Sequence, residues 1–396
     1  MSNSSFMDEI VSLAQTARLT RETLDENTRV QALGAARDLV QTLSFPPETA
    51  IQDVSLTLAV PLALRMGVQL GAFRAIRDQS QGITTQEIAA KCGASPSVLS
   101  QVLKVLVATG YIREAGVQLY TPSALTMVMA DPVMEATTRV TFDIGHACVT
   151  YAPEFFRRND NQAPASIEDT PFQLSRNTKL SYFSWLGENP SLAKDFQQFM
   201  SIKQQRTSSW VDWFDIDRVL LAGLNPTDET VLFVDVGGGE GRYIQAFNRK
   251  CPPSHTPGRR ILQDLPHVFS DLANPPDATE SMAHDFFTPQ PVKGARVYYL
   301  HWVLHDWPDE RAREILRHIV EAMEPGYSRL VINENIIPNQ GCDYASACLS
   351  LLMMVHVGAL ERTEQQWREL LNSVGLTNLA FYQPPGEGEG VIIATK

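Results

Sequence analysis

Residues 234–247 read VDVGGGEGRYIQAF. An apolar, β-branched run ends at Asp235, the chain turns at Gly237, Gly238 and Gly239, and a helix is expected to begin near Glu240. Glycines let the backbone turn tightly and let a ligand approach with no Cβ in the way. Strand, glycine turn and helix make the first half of a parallel βαβ unit. The C-terminal part of the chain repeats this alternation. RRILQDLP, ARVYYLHW, SRLVINENII and GVIIATK read as further strands, with GRYIQAFNRK, DERAREILRHIVEAM and TEQQWRELLNSVG as helices. The pattern predicts an α/β fold with a doubly wound, mainly parallel sheet over 226–396. NLAFYQ or GVIIAT is the candidate for an added antiparallel edge.

The glycine turn narrows the ligand. A dinucleotide fingerprint needs G-x-G-x-x-G/A. Counting from Gly237 the sixth position is Arg242, and counting from Gly239 it is Ile244, so both frames fail. A P-loop would need Gly-Lys-Ser/Thr, which does not follow. D-x-G-G-G-x-G is used by S-adenosylmethionine, which has no pyrophosphate and whose positive sulfonium and amine tolerate the carboxylate of Asp235. ILQDLPHV places Asp264, with Leu265 beside it, at the end of the next strand, where a carboxylate can accept from ribose hydroxyls. AHDFF places Asp285 and Phe286 near a third strand end, for an adenine amino group and ring.

HWVLHDWPDERAREIL, 301–316, leaves a strand and enters a helix. His305 and Asp306 fall where the crevice of a parallel sheet opens. VINENI puts Glu334 at the next strand end, and GALERTEQQW puts Glu361 in a loop before a helix. Methyl transfer from a sulfonium needs the acceptor's proton removed. A phenol has a pKa of about 10, so it is mostly protonated at neutral pH. A neutral imidazole in reach takes that proton, typically worth about 10²–10⁴ in rate. A carboxylate on the far ring nitrogen fixes the tautomer, with Glu334 or Glu361 as candidates, while Asp306 caps or braces locally.

N-terminal to this, residues 1–45 read as helical, with FPPE stopping the second helix at Pro46 and Pro47, and a helix follows on SLTLAVPLALRMGV. TTQEIAAKCG, SVLSQVLKVLVATG and a two-stranded YIREAGVQLYTPS turning at Ala115-Gly116 make a winged helix-turn-helix. Its second helix offers only Lys104 as a cation, which a reader of phosphates and bases would not tolerate. A packing or dimerisation module is therefore expected over 1–125. Residues 126–225 are helical and aromatic, and Trp185, Phe196, Phe199 and Met200 are candidates to line an apolar pocket, with Met353 and Met354 from further on.

Charge and cysteine usage bound the partners. The net charge of −12 argues against nucleic acid as the main partner. The five scattered cysteines lack CxxC spacing and suit reduced thiols in a cytoplasmic protein. No continuous apolar run reaches the roughly 18 residues of a membrane span, no signal peptide is read, and no metal is expected.

VDVGGGEGRY, QDLPHV, HDFF, LHWVLHDWPDE, INENIIP and ERTEQQWRELLNSVGL together resemble the small-molecule O-methyltransferases of plants and fungi, which carry an N-terminal winged-helix dimerisation domain. The resemblance covers nearly the whole chain past residue 50. It implies a Rossmann-like catalytic domain, a homodimer, and a hydroxylated aromatic or polyketide-like substrate. It puts the general base on His305, the flanking glutamates on Glu334 and Glu361, and cofactor contacts on Gly237, Asp264, Asp285 and Phe286. Three departures stand out. Where relatives often carry a cofactor-contacting Lys or Arg, this chain has His301; the glycine doublet before E-R-T is altered to GAL; and the acid that often precedes the Met-rich helix is missing from ACLSLLMMVHVGAL. The family also includes members that catalyse cyclisation or another non-methylating step, and a winged-helix transcriptional regulator is a further, less favoured reading.

Overall fold

The computed structural model describes residues 3–20, 22–206, 209–270, 276–384 and 388–396. Chain contacts divide it into one unit running to Ala63 and another from Leu64 onward. The first unit is helical, with Asn3–Thr20 and Glu26–Leu43 as its long helices. Pro46 opens a new helix at its first position rather than only stopping the previous one, because a proline lacks the N–H that this position would leave unsatisfied anyway. From Pro46 to Gln69 the chain is helical for 24 residues and apolar enough by length and composition to cross a membrane, with 17% of the apolar window buried. Glu48 and Asp53 interrupt that run in the sequence.

The second unit opens with the winged helix-turn-helix. Helices Thr85–Cys92 and Pro96–Ala108 are followed by β2 (Ile112–Gly116) and β3 (Leu119–Pro122), with β1 (Ile83–Thr84) paired to β3 as a third strand. The wing turns at Val117-Gln118 rather than Ala115-Gly116. Gly116 pairs with Leu119, and Gln118, not a glycine, takes the left-handed conformation (φ 55°). A ladder of charges runs on from this module: Arg74 pairs with Glu135, Glu135 with Arg139, and Arg139 makes a bidentate contact of 2.7 Å with Asp195 on the helix Pro190–Arg206. That helix carries Phe196, Phe199 and Met200.

The C-terminal sheet has seven strands. They are β4 (Val231–Val236), β5 (Arg259–Asp264), β6 (Glu280–Ala283), β7 (Val297–His301), β8 (Arg329–Glu334), β9 (Thr377–Tyr382) and β10 (Gly390–Thr395), in the order β6-β5-β4-β7-β8-β10-β9. β4 to β8 are parallel. Both candidates for the antiparallel addition belong to it, with β10 inserted between β8 and the edge strand β9. Successive residues of β7 point to opposite faces, as a strand requires. Leu300 packs with Ile315, Leu316 and Trp367, whereas Tyr299 packs with Phe233, Phe247 and Trp210. Burial on both faces explains why these strands are nearly continuous apolar runs. The strand order reverses at β4, so a crevice opens at the carboxyl ends of β4, β5 and β7.

Candidate active site

The glycine turn closes β4 at this crevice. Gly237 and Gly238 both donate to the carbonyl of Gln263 on β5, at 2.8 and 3.1 Å. A Cβ on Gly238 would stand 2.5 Å from Asp235 Cγ and from Leu262 Cδ1, which no side chain tolerates. Asp235, expected at the cofactor, is therefore beneath the turn. It is 1% exposed and its Oδ2 has no partner. Burial, offset in part by a backbone hydrogen bond from Ile244, pushes its carboxyl up to about 7. Gly239 has φ +57° and open space where its Cβ would be, so the outer face of the turn is clear for a ligand. The helix begins at Arg242, two residues later than expected, because Gly241 takes a left-handed conformation as its N-cap.

Asp264 ends β5 beside this turn. Its Oδ2 accepts from Gly239 N–H and its Oδ1 from Leu265 N–H, each at 2.7 Å. Each carboxylate oxygen keeps a further lone pair. Leu265 is exposed. Asp285 follows β6 and accepts from Phe287 N–H at 2.9 Å, while the Phe286 ring comes within 3.4 Å of the position a Gly237 Cβ would take. Turn, two acids and an aromatic ring are thus brought to one edge in the order the sequence suggested.

Beyond β7 lies an imidazole among carboxylates. His305 sits in a single turn of 3-10 helix, Leu304–Asp306. Its Nδ1 is 2.9 Å from Glu361 Oε1 and 3.7 Å from Glu334 Oε2, and its Nε2 is 3.6 Å from Asp306 Oδ1. Glu334 Oε1 accepts from the backbone N–H groups of Val303, Leu304 and His305 at 3.1, 3.1 and 3.4 Å, fixing the turn that carries the ring. Both glutamates are buried, and the second oxygen of each has no hydrogen-bond partner. Atoms of His305, Glu334 and Glu361 lie within 4.8 Å of one another, a separation a metal ion could span; here a hydrogen bond closes the imidazole onto Glu361. Burial by itself would lower the imidazole's pKa, but Glu334, Asp306 and Glu361 oppose it and push it up to about 10. Burial likewise raises Glu334 to about 7. The three carboxylates hold a proton on the ring.

Arg362 was not singled out in the sequence, although it adjoins Glu361. It is 1% exposed and donates to the carbonyls of Leu304 and Trp307 at 2.8 Å each, and to Asp309 at 3.0 Å. One guanidinium thus clamps both ends of the His305 turn.

The expected pocket residues divide. Trp185, Phe196 and Met353 pack against one core cluster with Phe172 and Tyr182, and Phe199 meets Phe196 at 6.2 Å. Met200 and Met354 are half-buried. A narrow cavity beside the His305 turn is lined by other residues: Ile167, Ser181, Tyr182, Phe183, Asp306, Trp307 and Val357. Tyr182 and Phe183 lie within the aromatic 126–225 stretch, where helical texture alone does not separate wall from core.

Fold and site define a class: a methyltransferase with its small-molecule crevice at the carboxyl edge of a mixed seven-stranded sheet. Residues 180–377 match the O-methyltransferase domain, and residues 53–130 match the O-methyltransferase dimerisation domain. A demethylsterigmatocystin 6-O-methyltransferase of Aspergillus parasiticus is 38% identical over 357 residues, covering 90% of this chain and 88% of that one. The structure of LepI in complex with SAM is similar with a TM-score of 0.86, at 30% identity and 100% coverage of both chains. A structure described as a pericyclic reaction enzyme gives 0.85 at 29% identity, covering 98% of this chain and 100% of that one. The chain belongs to the O-methyltransferase family and groups with fungal members of secondary metabolism; its cofactor is S-adenosyl-L-methionine. The dimerisation domain supports a homodimer, and the substrate is a small molecule.

Proposed function

We propose that this protein methylates a hydroxyl of an aromatic or polyketide-like secondary metabolite, with His305 as the general base. The observation that carries the reading is the buried imidazole bonded through Nδ1 to Glu361, at the end of β7 beside the glycine turn. When bound, the cofactor supplies a methyl group already activated on a sulfonium. The chain's part is to hold the acceptor and accept its proton. Nδ1 faces Glu361, so Nε2 is the atom left to take the hydroxyl proton. Asp306, beside Nε2, stabilises the imidazolium that results. The carboxylates that raise the ring's pKa make its neutral form a stronger base toward a phenol, whose pKa is about 10. Tyr182, Phe183 and Trp307 suit a planar apolar acceptor, with Trp185, Phe199, Met200, Met353 and Met354 as its outer surroundings. Asp264 and Leu265 would serve the ribose, and Asp285 and Phe286 the adenine.

We assign 1–125 to dimerisation, 126–225 to the substrate pocket and 226–396 to catalysis, in a cytoplasmic protein without nucleic-acid or membrane partners. Ile51, Val54, Leu56 and Leu58 are exposed on the first unit and suit a second copy of the chain. The test is mass spectrometry of hydroxylated aromatic and polyketide metabolites incubated with the protein and methyl-labelled cofactor. Gain of one labelled methyl supports the reading; no labelled product from any acceptor counts against it.

A second reading is favoured by the proton itself. An imidazole held protonated near neutral pH is an acid, suited to polarising a carbonyl during a cyclisation or pericyclic step. Under that reading the product gains no methyl, and the cofactor is recovered unchanged.

A further inference from the structure

The cofactor site leaves one buried acid unexplained. Glu389 directly precedes β10, at the carboxyl edge of the sheet. Its Oε2 is 2.8 Å from His301 Nε2, while its Oε1 is buried without a hydrogen-bond partner. The His301 side chain is 7% exposed and that of Glu389 12%. The imidazole lies against Tyr243, with ring centroids 3.9 Å apart, and against Trp302 at 4.7 Å. Burial holds the His301 ring below its ordinary pKa despite the opposing hydrogen bond it makes to Glu389. A neutral imidazole donating to a carboxylate leaves one negative charge on the pair. At the position where relatives often carry a cation, this chain has built an anion. A buried carboxylate oxygen costs free energy until a donor reaches it, and most of all when the donor is charged.

Strand order says which part of the cofactor reaches it. Asp264 ends β5 and Asp285 follows β6, both on one side of the glycine turn at the end of β4. His301 ends β7, on the other side of β4. A nucleoside held over β5 and β6 sends its amino-acid end across the turn toward β7. Tyr243, in the first turn of the helix that follows the glycines, packs its tilted ring against His301 and walls this end.

We propose that Glu389 binds the α-ammonium of the cofactor's amino-acid end, and that His301 is the positioning residue that holds the carboxylate for it. The proposal rests on the cofactor reading above. An ammonium brings three donors and a positive charge, which complements the empty oxygen and the net charge of the pair. A lysine at 301 would cancel that charge, so the histidine and Glu389 act as one device.

The test is calorimetry on the full-length protein and its Glu389→Gln variant. The probes are S-adenosylhomocysteine, which carries the ammonium, and 5′-methylthioadenosine, which has the nucleoside and sulfur but no amino acid. Loss of a charge-assisted hydrogen bond should weaken S-adenosylhomocysteine about 10–100-fold in the variant. Binding of 5′-methylthioadenosine should stay within about twofold. An unchanged S-adenosylhomocysteine affinity overturns the proposal, and so does an equal loss for both probes, which would mark Glu389 as structural. If the variant does not fold, the wild-type chain gives the answer: a deaminated S-adenosylhomocysteine should bind about 10–100-fold more weakly than the parent, and equal binding overturns the proposal. Failure of the wild type to bind either nucleoside would instead sink the cofactor reading itself.

Discussion

Replacing Glu334 by glutamine tests the proposed base without dismantling the turn that holds it. Glutamine keeps an oxygen for the backbone N–H groups of Val303, Leu304 and His305 and removes only the charge. In the wild type the conjugate acid of His305 lies at about 10, so the neutral ring is about one part in a thousand at pH 7. The rate under kcat/KM conditions should therefore climb about tenfold per pH unit from 6 toward 9. Glu334 Oε2 is 3.7 Å from Nδ1 and exerts the largest Coulombic pull raising the ring, beside the direct hydrogen bond from the ring to Glu361. Two unit charges about 4 Å apart interact by roughly 4 kcal/mol at an effective dielectric of 20. Glu334 itself titrates near 7, so part of that interaction is already absent in the lower half of the range. Glu334→Gln should move the rising limb toward acid by about 1–3 pH units, raising the relative rate at pH 7 if the geometry survives. The assay is initial methylation rate at subsaturating acceptor from pH 6 to 9, with circular dichroism to check the fold. A solution phenolate attacking unaided gives the same rise in the wild type but ignores the substitution. A limb left in place by Glu334→Gln refutes His305 as the group whose proton loss governs the rate.

Three further outcomes follow from the same geometry. His305→Ala should keep calorimetric affinity for S-adenosylhomocysteine and lose about 10²–10⁴ in turnover; wild-type turnover would remove His305 from the chemistry. Arg362→Lys cannot reach Leu304, Trp307 and Asp309 together, so kcat should fall by more than KM rises, and thermal unfolding should show a loss of about 1–3 kcal/mol. Asp235 has a folded pKa of about 7, above its ordinary 3.8, so it contributes stability at pH below about 4 that is lost as pH rises through 7. Asp235→Asn should remove that decline, and urea unfolding midpoints that fall with pH equally in both proteins would count against it.

Periodicity and glycine placement made the α/β half readable, because strands buried on both faces carry continuous apolar runs and the acids expected at the ligand fall at strand ends. The triad was readable for the same reason. His305, Glu334 and Glu361 are far apart in sequence but stand on elements whose ends a parallel sheet collects on one edge. Residues that act from the side were not legible. Arg362 reads as an ordinary loop cation until its three acceptors are seen, and Glu389 lies in a glycine-rich approach to β10 that has no pattern of its own. The wing turn misled because Gln118 accepts a positive φ, which side-chain identity alone would not suggest. Asp235 shows the opposite error: its position in the motif was correct, but the glycine above it covers its carboxyl.

Trp302 takes φ +50°, a backbone region that bulky residues rarely enter, and its indole stacks between His301 and His305, with centroids 4.7 and 6.1 Å away. The indole is therefore a shared wall: a group that tilts one ring displaces the surface on which the other rests. Attempts to retune acceptor choice at one end of this column should be designed together with the opposite end.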